Sequence, residues 1–328
     1  MLALATMMFT YASCTNEDTP VEEYVQVSYT AKLPNGIASR AISDGKTVTH
    51  VACAVYDVDN GNALVLGPDG KNNQVIELSD EGVATFTPTL IKGRNYQIAF
   101  WAYYNAEGNS SAYDVLNSSN QVDLTKVTKN GSWLCNDETA DAFTAVIQAN
   151  ANEANSQPVK LKRPFARLRF GMTQADWTNT CNLVDTPTHS NIELGNPIIY
   201  TSFNALTGEP IKENTISSLG INKIVDESYT VKPEGGEEVT YKTLAYAYVW
   251  MPAEEDKRIE NVTVGVFYGE DNAGTDPNSY TKITSTTIPS VPMEEGYNTN
   301  VSGNLLTGNV NYTITIDPSE GENKNENI

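Results

Sequence analysis

Histidine occurs only twice in the 328 residues, at His50 and His189, and bases are scarce: 21 Lys and Arg stand against 41 Asp and Glu, a formal net charge of −20. A chain this acidic is repelled by phosphate backbones and by anionic lipid surfaces, so no nucleic-acid partner is expected. The two histidines stand alone in sequence and read as packed or surface residues rather than as bases. Cysteine is equally sparse. Cys53, Cys135 and Cys181 lie far apart with no CxxC pair, which argues against a zinc site and against a full disulfide framework while leaving one disulfide open. Cys53 lies in an apolar run and reads as a buried small hydrophobe. The sequence holds no GxSxG elbow, no HExxH, no phosphate loop and no dinucleotide fingerprint, and no carboxylate pair stands out among the many acids. The expectation is a protein that is not an enzyme and needs neither cofactor nor metal.

What the chain does have begins at its N-terminus. Leu2 to Ser13 is an apolar run too short to cross a bilayer but of the size of a signal-peptide core, and small residues close it before Cys14. Tyr11-Ala12-Ser13-Cys14 resembles a bacterial lipobox, so residues 1–13 are expected to be a lipoprotein signal peptide and Cys14 the lipidated first residue of the mature chain. Membrane residence through lipid needs more than one acyl chain, as bacterial lipoproteins are expected to carry. No later segment is long and apolar enough to span a membrane.

The rest of the sequence has the periodicity of strands. Val25, Val27, Tyr29, Ala31 and Leu33 alternate with polar residues, the period-2 signature of a strand with one buried face. Val48 to Tyr56 is a mostly apolar second strand, and Asp59-Asn60-Gly61-Asn62 ahead of Ala63 to Leu66 signals a hairpin rather than a calcium loop. Tyr96 to Tyr104, Val159 to Gly171, Thr243 to Met251, Val262 to Tyr268, Tyr280 to Ile288 and Val310 to Ile316 follow as short strand candidates. Asn105 to Asn120 reads as a long loop, and Asp137 to Gln157 as a polar, Ala-rich stretch with a short helix. Phe165, Leu168 and Phe170 are apolar strand positions, with Arg167 and Arg169 expected to face solvent or acidic neighbours. The aromatics around Trp101 are expected in the core rather than in a sugar platform.

Four segments, taken in order behind a lipobox, resemble the fimbrillin-like lipoproteins, the type V pilus subunits of Gram-negative anaerobes. They are Tyr96-Gln97-Ile98-Ala99-Phe100-Trp101-Ala102, Lys160 to Gly171 with its Arg163-Pro164-Phe165, Ala245 to Pro252, and Asn298 to Thr307. The resemblance implies an all-β fold of two transthyretin-like β-sandwich domains, with short helices in the connections and a boundary near residues 155 to 160. The chain then divides into a signal peptide (1–13), an N-terminal segment with a removable first strand (14–40), an N-terminal sandwich (41–157), a C-terminal sandwich (158–316) and a disordered acidic tail (317–328).

In the resembled family a trypsin-like surface protease cuts after an arginine that follows the first strand, and a strand from another subunit enters the groove so opened. The matching positions here are Arg40 and Ala41, within Ala38-Ser39-Arg40-Ala41-Ile42-Ser43-Asp44-Gly45, and the strand to be removed or exchanged is Val25, Val27, Tyr29, Ala31 and Leu33 with their polar neighbours. Val310, Tyr312, Ile314 and Ile316 alternate in the same way and form either a donor strand or the last strand of the second domain. The partners implied are other pilus subunits, the maturation protease, the outer membrane through a lipid anchor, and host or bacterial surface ligands. The expected role is a fimbrillin-like pilus subunit or cell adhesin at the outer membrane. The alternative is a monomeric surface lipoprotein that binds a glycan or host ligand and keeps the segment before Ala41.

Overall fold

The computed structural model describes residues 22–34, 45, 47–106, 110–152, 156–183, 185–195, 199–232, 237–251, 257–269, 279–307 and 310–318. It is an all-β sandwich fold, with strands over 57% and helix over 6% of it, the class expected from the run of short period-2 segments. The signal peptide, Cys14, Arg40, Ala41 and residues 319–328 of the acidic tail lie outside the described residues.

In chain order the first half holds β1 (Tyr24–Gln26), β2 (Ser28–Lys32), β3 (His50–Asp57), β4 (Ala63–Leu64), β5 (Gln74–Glu77), β6 (Val83–Phe86), β7 (Thr89–Ile91), β8 (Asn95–Tyr103), β9 (Asn105–Ala106), β10 (Ser110–Ser111), β11 (Tyr113–Asp114), β12 (Val127–Lys129), β13 (Ala142–Asn150) and β14 (Ser156–Lys160). An antiparallel sheet runs β13-β8-β3, with β4 and β5 sharing the outer side of β3. Both of its faces are covered, which is why β3 and β8 read as near-continuous apolar runs instead of alternating ones. Val51, Cys53, Val55, Ile98, Phe100 and Phe143 face a smaller core shared with β2, β6 and β14. Ala52, Ala54, Ala99, Trp101 and Tyr103 face a larger core that continues into the second half.

The hairpin expected at Asp59 to Asn62 is present between β3 and β4. Gly61 (φ 63°) and Asn62 (φ 61°) supply the left-handed backbone it needs. Its acids serve the turn and its neighbours: Asp57 accepts from the Asp59 N–H at 3.0 Å and pairs with Arg94 at 3.2 Å, while Asp59 accepts from the Asn95 N–H at 3.0 Å.

Two local expectations fail. Asn105 to Asn120, rich in Gly, Ser and Asn, is not a plain loop; it contains β9, β10 and β11, and it buries Ala112, Tyr113 and Val115 because the Tyr113 ring packs edge-on against Trp101 at 5.3 Å. Among the described residues of Asp137 to Gln157, a 3-10 turn (Glu138–Ala140) is followed by the long strand β13, and the stretch ends in the start of β14. Its alanines favour helix, but all nine residues of β13 pair with β8, and that tertiary pairing overrides local propensity.

The second half holds β15 (Ala166–Met172), the helix α1 (Gln174–Leu183), β16 (His189–Leu194), β17 (Ile199–Tyr200), β18 (Ser202–Asn204), β19 (Glu209–Pro210), β20 (Thr215–Ile216), β21 (Ser218–Lys223), β22 (Ser228–Val231), β23 (Val239–Val249), β24 (Arg258–Tyr268), β25 (Thr281–Pro292), β26 (Tyr297–Asn304) and β27 (Asn311–Pro318). One sheet runs β22-β23-β15-β26-β27 and another β21-β16-β24-β25. Leu168, Phe170, Ala245, Ala247 and Val301 of the first meet Ile192, Leu194, Val262, Val264 and Ile288 of the second. The helix α1 has no apolar stripe to announce it. Its start is set by Thr173, whose Oγ1 accepts from the Asp176 N–H at 3.1 Å, and Asp176 in turn accepts from the Leu305 and Leu306 N–H groups at 2.8 and 3.0 Å.

Arg167 and Arg169 do not face solvent; each is 6% exposed. Tyrosines roof that face of the sheet, with the Arg169 guanidinium 4.4 Å from the centre of the Tyr229 ring. Burial pushes the Arg167 guanidinium down to about 9. At the Phe170/Gly171 bulge a Cβ on Gly171 would strike the Tyr229 hydroxyl, so glycine keeps that roof closed.

An aromatic knot ties the halves together. Trp101 lies 5.5 Å from Phe203 and 6.2 Å from Trp250, and Trp250 stacks on Phe165 at 5.3 Å and meets Trp133 edge-on at 5.2 Å. Trp101 is therefore core, as expected. Arg163 clasps Asp141 from across the junction, Nε and Nη2 reaching the two carboxylate oxygens at 2.8 and 2.9 Å with both residues buried. Cys53, Cys135 and Cys181 are free thiols, and Cys53 is buried as expected.

Candidate strand-exchange site

The first strand is seated inside the protein. Its alternation comes out as read: Val27, Tyr29 and Ala31 are buried, Val25 and Leu33 half-buried, and Lys32 exposed. Tyr29 is 1% exposed and meets Phe100 edge-on at 6.4 Å, and Phe86 meets the same ring at 6.0 Å. Burial pushes the Tyr29 phenol up.

The backbone is held on both sides. β1 pairs antiparallel with β7, β2 pairs antiparallel with β6, and the Val27, Leu33 and Lys92 N–H groups extend the ladder to Pro88, Gly82 and Glu23 at 3.2, 3.0 and 2.7 Å. On its other side β2 runs parallel to β14, Ser28 opposite Ser156 through Lys32 opposite Lys160. Removing the strand would therefore leave two unpaired edges and an uncovered apolar floor. β14 and β6 run antiparallel to each other, and a replacement strand running in the direction of β2 would restore both pairings, parallel to β14 and antiparallel to β6.

Ion pairs clamp the entry. Lys92 Nζ lies 2.8 Å from Glu23, and Arg94 bridges Glu22 and Asp57 at 3.2 Å each. Hydrogen bonding to Asp57 raises the Arg94 guanidinium further above its ordinary value. These pairs are exposed on at least one side and contribute little each.

Sequence reasoning did not find the parallel partner β14, which spans the division expected near residues 155 to 160, or the role of Asn72. That buried amide donates from Nδ2 to the Thr89 carbonyl and accepts from the Thr89 N–H, both at 2.8 Å, closing the outer edge of β7 as a strand would. A lone Asn in a polar loop gives no sign of this.

At the far end of the chain, β27 lies at the margin of its sheet, antiparallel to β26 from Asn311 opposite Asn304 to Pro318 opposite Tyr297. Tyr312 and Ile314 rest against the larger core, and Val310 and Ile316 are exposed. The sequence relates the two strands: Val27-Ser28-Tyr29-Thr30 recurs as Val310-Asn311-Tyr312-Thr313, with Leu33 and Ile316 three residues beyond each.

Fold and site define an all-β sandwich protein whose first strand is inlaid between two others. The chain belongs to a family of unknown function, DUF6562, whose profile matches residues 18–327. No curated protein matches the sequence. Among solved structures it is similar to a fimbrial assembly protein from Parabacteroides distasonis, at 12% identity and a TM-score of 0.41 over 92% of this chain and 98% of that one. It is also similar to a candidate cell adhesion protein from Bacteroides ovatus, at 16% identity and a TM-score of 0.45 over 90% and 96%. A third, from Bacteroides eggerthii and of the same description, stands at 12% identity and 0.45 over 89% and 96%. Likeness at this level says nothing of what the chain binds.

Proposed function

We propose that the protein is a non-enzymatic, surface-exposed lipoprotein of the outer membrane that acts as a pilus subunit or adhesin and assembles by strand donation after cleavage near Arg40. The observation that supports this is the inlaid first strand, hydrogen-bonded on both sides and followed within eight residues by an arginine among small residues. Lipid at Cys14 carries the subunit to the membrane, and two sandwich domains divided near residues 155 to 160 form its body.

The energetics are coherent. Residues 14–40 carry four acids and two bases, so their loss scarcely alters the net charge of −20, and repulsion between subunits persists. Assembly then rests on apolar burial and backbone pairing. About five strand side chains at roughly 1.5 to 3 kcal/mol each give a gross gain on the order of 10 kcal/mol before ordering costs. The β27 of a second subunit, aligned by the shared Val-x-Tyr-Thr, places Tyr312 where Tyr29 sat and Ile314 where Ala31 sat.

The test treats purified wild type and Arg40→Ala with a trypsin-like protease, locates the new N-terminus by mass, and follows size by light scattering. Wild type should begin at Ala41 and then oligomerise, while Arg40→Ala should do neither. Oligomers forming equally well from uncut Arg40→Ala, or a cleanly cut chain that stays monomeric, would overturn the reading.

A further inference from the structure

A cleft of about 550 Å³ opens beside the mouth of the β13-β8-β3 sheet, where the start of β3 and the end of β8 meet the β9–β10 and β11 segments. That volume lies in the range that encloses a small organic ligand. His50, Asn105, Asp114 and Asn130 bring polar groups to it, and Val75 and Leu116 give it an aliphatic wall. Both aliphatic residues are large hydrophobics left exposed, at 37% and 42%.

The polar groups are positioned by the fold and keep unspent hydrogen-bonding capacity. The Thr49 hydroxyl donates to the Asn105 carbonyl and accepts from the Asn105 N–H, at 3.0 and 2.9 Å. Its proton being spent, it can only accept from His50 Nδ1, 2.8 Å away. This assigns the neutral ring a proton on Nδ1 and leaves Nε2 as an acceptor. Asp114 uses one carboxylate oxygen to receive the Leu116 N–H at 3.1 Å, and its other oxygen has no partner among the described residues. Asn130 donates from Nδ2 to the Ser111 carbonyl at 3.1 Å, and its backbone carbonyl accepts from Lys129 Nζ at 3.1 Å, which leaves its side-chain Oδ1 without a partner among the described residues, as is the whole side-chain amide of Asn105.

The lining carries no Lys or Arg, and the chain as a whole is strongly negative, so an anionic ligand is disfavoured. A basic ligand would find one carboxylate and no second acid. Donors and acceptors together with aliphatic side chains match a molecule that presents hydroxyls on its edges and C–H groups on its faces. We propose that this cleft binds a neutral saccharide, with Asp114 and His50 Nε2 accepting from its hydroxyls, the Asn105 and Asn130 amides completing the set, and Val75 and Leu116 packing on its C–H face. The inference stands apart from strand exchange, since none of these residues belongs to the first strand or to its partners.

The test is an array of neutral, sialylated and sulfated oligosaccharides together with Lys-rich peptides, probed with the full chain and followed by calorimetry on the best neutral binder. The expected result is retention of a neutral oligosaccharide, with affinity at least tenfold lower in Asp114→Asn and in Leu116→Glu at unchanged urea midpoints. Asp114→Asn keeps shape at an exposed site, which separates lost binding from lost folding. Absence of any neutral binder, binding untouched by both substitutions, or retention only of sulfated glycans or of Lys-rich peptides would each overturn the proposal.

Discussion

Replacing Tyr29 by Ala should destabilise the uncleaved protein far more than replacing its neighbour Thr30 by Ala. Tyr29 is 1% exposed and fills the floor of the first-strand slot between Phe86, its cross-strand partner, and the edge-facing Phe100. Deleting a buried ring removes its transfer free energy and leaves a cavity, a loss of about 3 to 5 kcal/mol for aromatic-to-Ala changes in cores. Thr30 sits one residue along with its side chain on the opposite, half-exposed face, paired with Thr85. Losing that pair costs under about 1 kcal/mol. Both substitutions leave the backbone ladder intact, so the contrast isolates side-chain parity. Urea titration followed by tryptophan fluorescence is a direct measure, because Trp101, Trp133 and Trp250 all belong to the aromatic knot and report its dissolution. Wild type and Thr30→Ala should unfold at nearly the same urea concentration with Tyr29→Ala well below them. Equal shifts for the two variants, or none for Tyr29→Ala, would refute the inlaid-strand geometry.

Breaking the buried Arg163 and Asp141 pair should be worse than removing it: Arg163→Met leaves a buried carboxylate without its cation and should cost about 3 to 5 kcal/mol, while Arg163→Met with Asp141→Leu should recover most of that. Denaturation midpoints of the singles and the double measure this, and a double variant as weak as Arg163→Met would count against the account. Stability should also fall in alkali. Burial pushes Tyr103 and Tyr229 up to about 12 from 10, and Cys135 up to about 12 from 9, so the folded state holds protons that the unfolded chain releases. Their contribution is complete below pH 9 and is lost as pH rises from 9 to 12. A urea midpoint that stays flat or rises over that interval would contradict the burial of these groups.

Period-2 alternation is local information, carried by neighbouring side chains with no reference to partners. For that reason the strand at Val25 to Leu33, its buried parity, the hairpin after Asp57 and the all-β class are all legible in the residues themselves. The closing strand is legible too, because Val310 to Ile316 repeats the same alternation. Whom a strand pairs with is not local. That β14 runs parallel to β2, that Ala-rich β13 extends beside β8 instead of coiling, and that β27 is the margin of its sheet all depend on contacts between residues distant in sequence. Burial of charge follows the same rule. Arg167 and Arg169 alternate with apolar residues as solvent-facing positions do, yet a tyrosine roof from β22 and β23 encloses them, and no property of the strand itself announces that roof. The cleft at His50 and Asp114 is likewise a product of assembly, since its polar groups come from stretches that read separately as strand end and loop. The chain alone thus determined that its period-2 segments extend and which face the first strand hides. The tertiary structure decided their neighbours, their open edges and the cleft beside His50, because pairing energy is spent between segments and not within them.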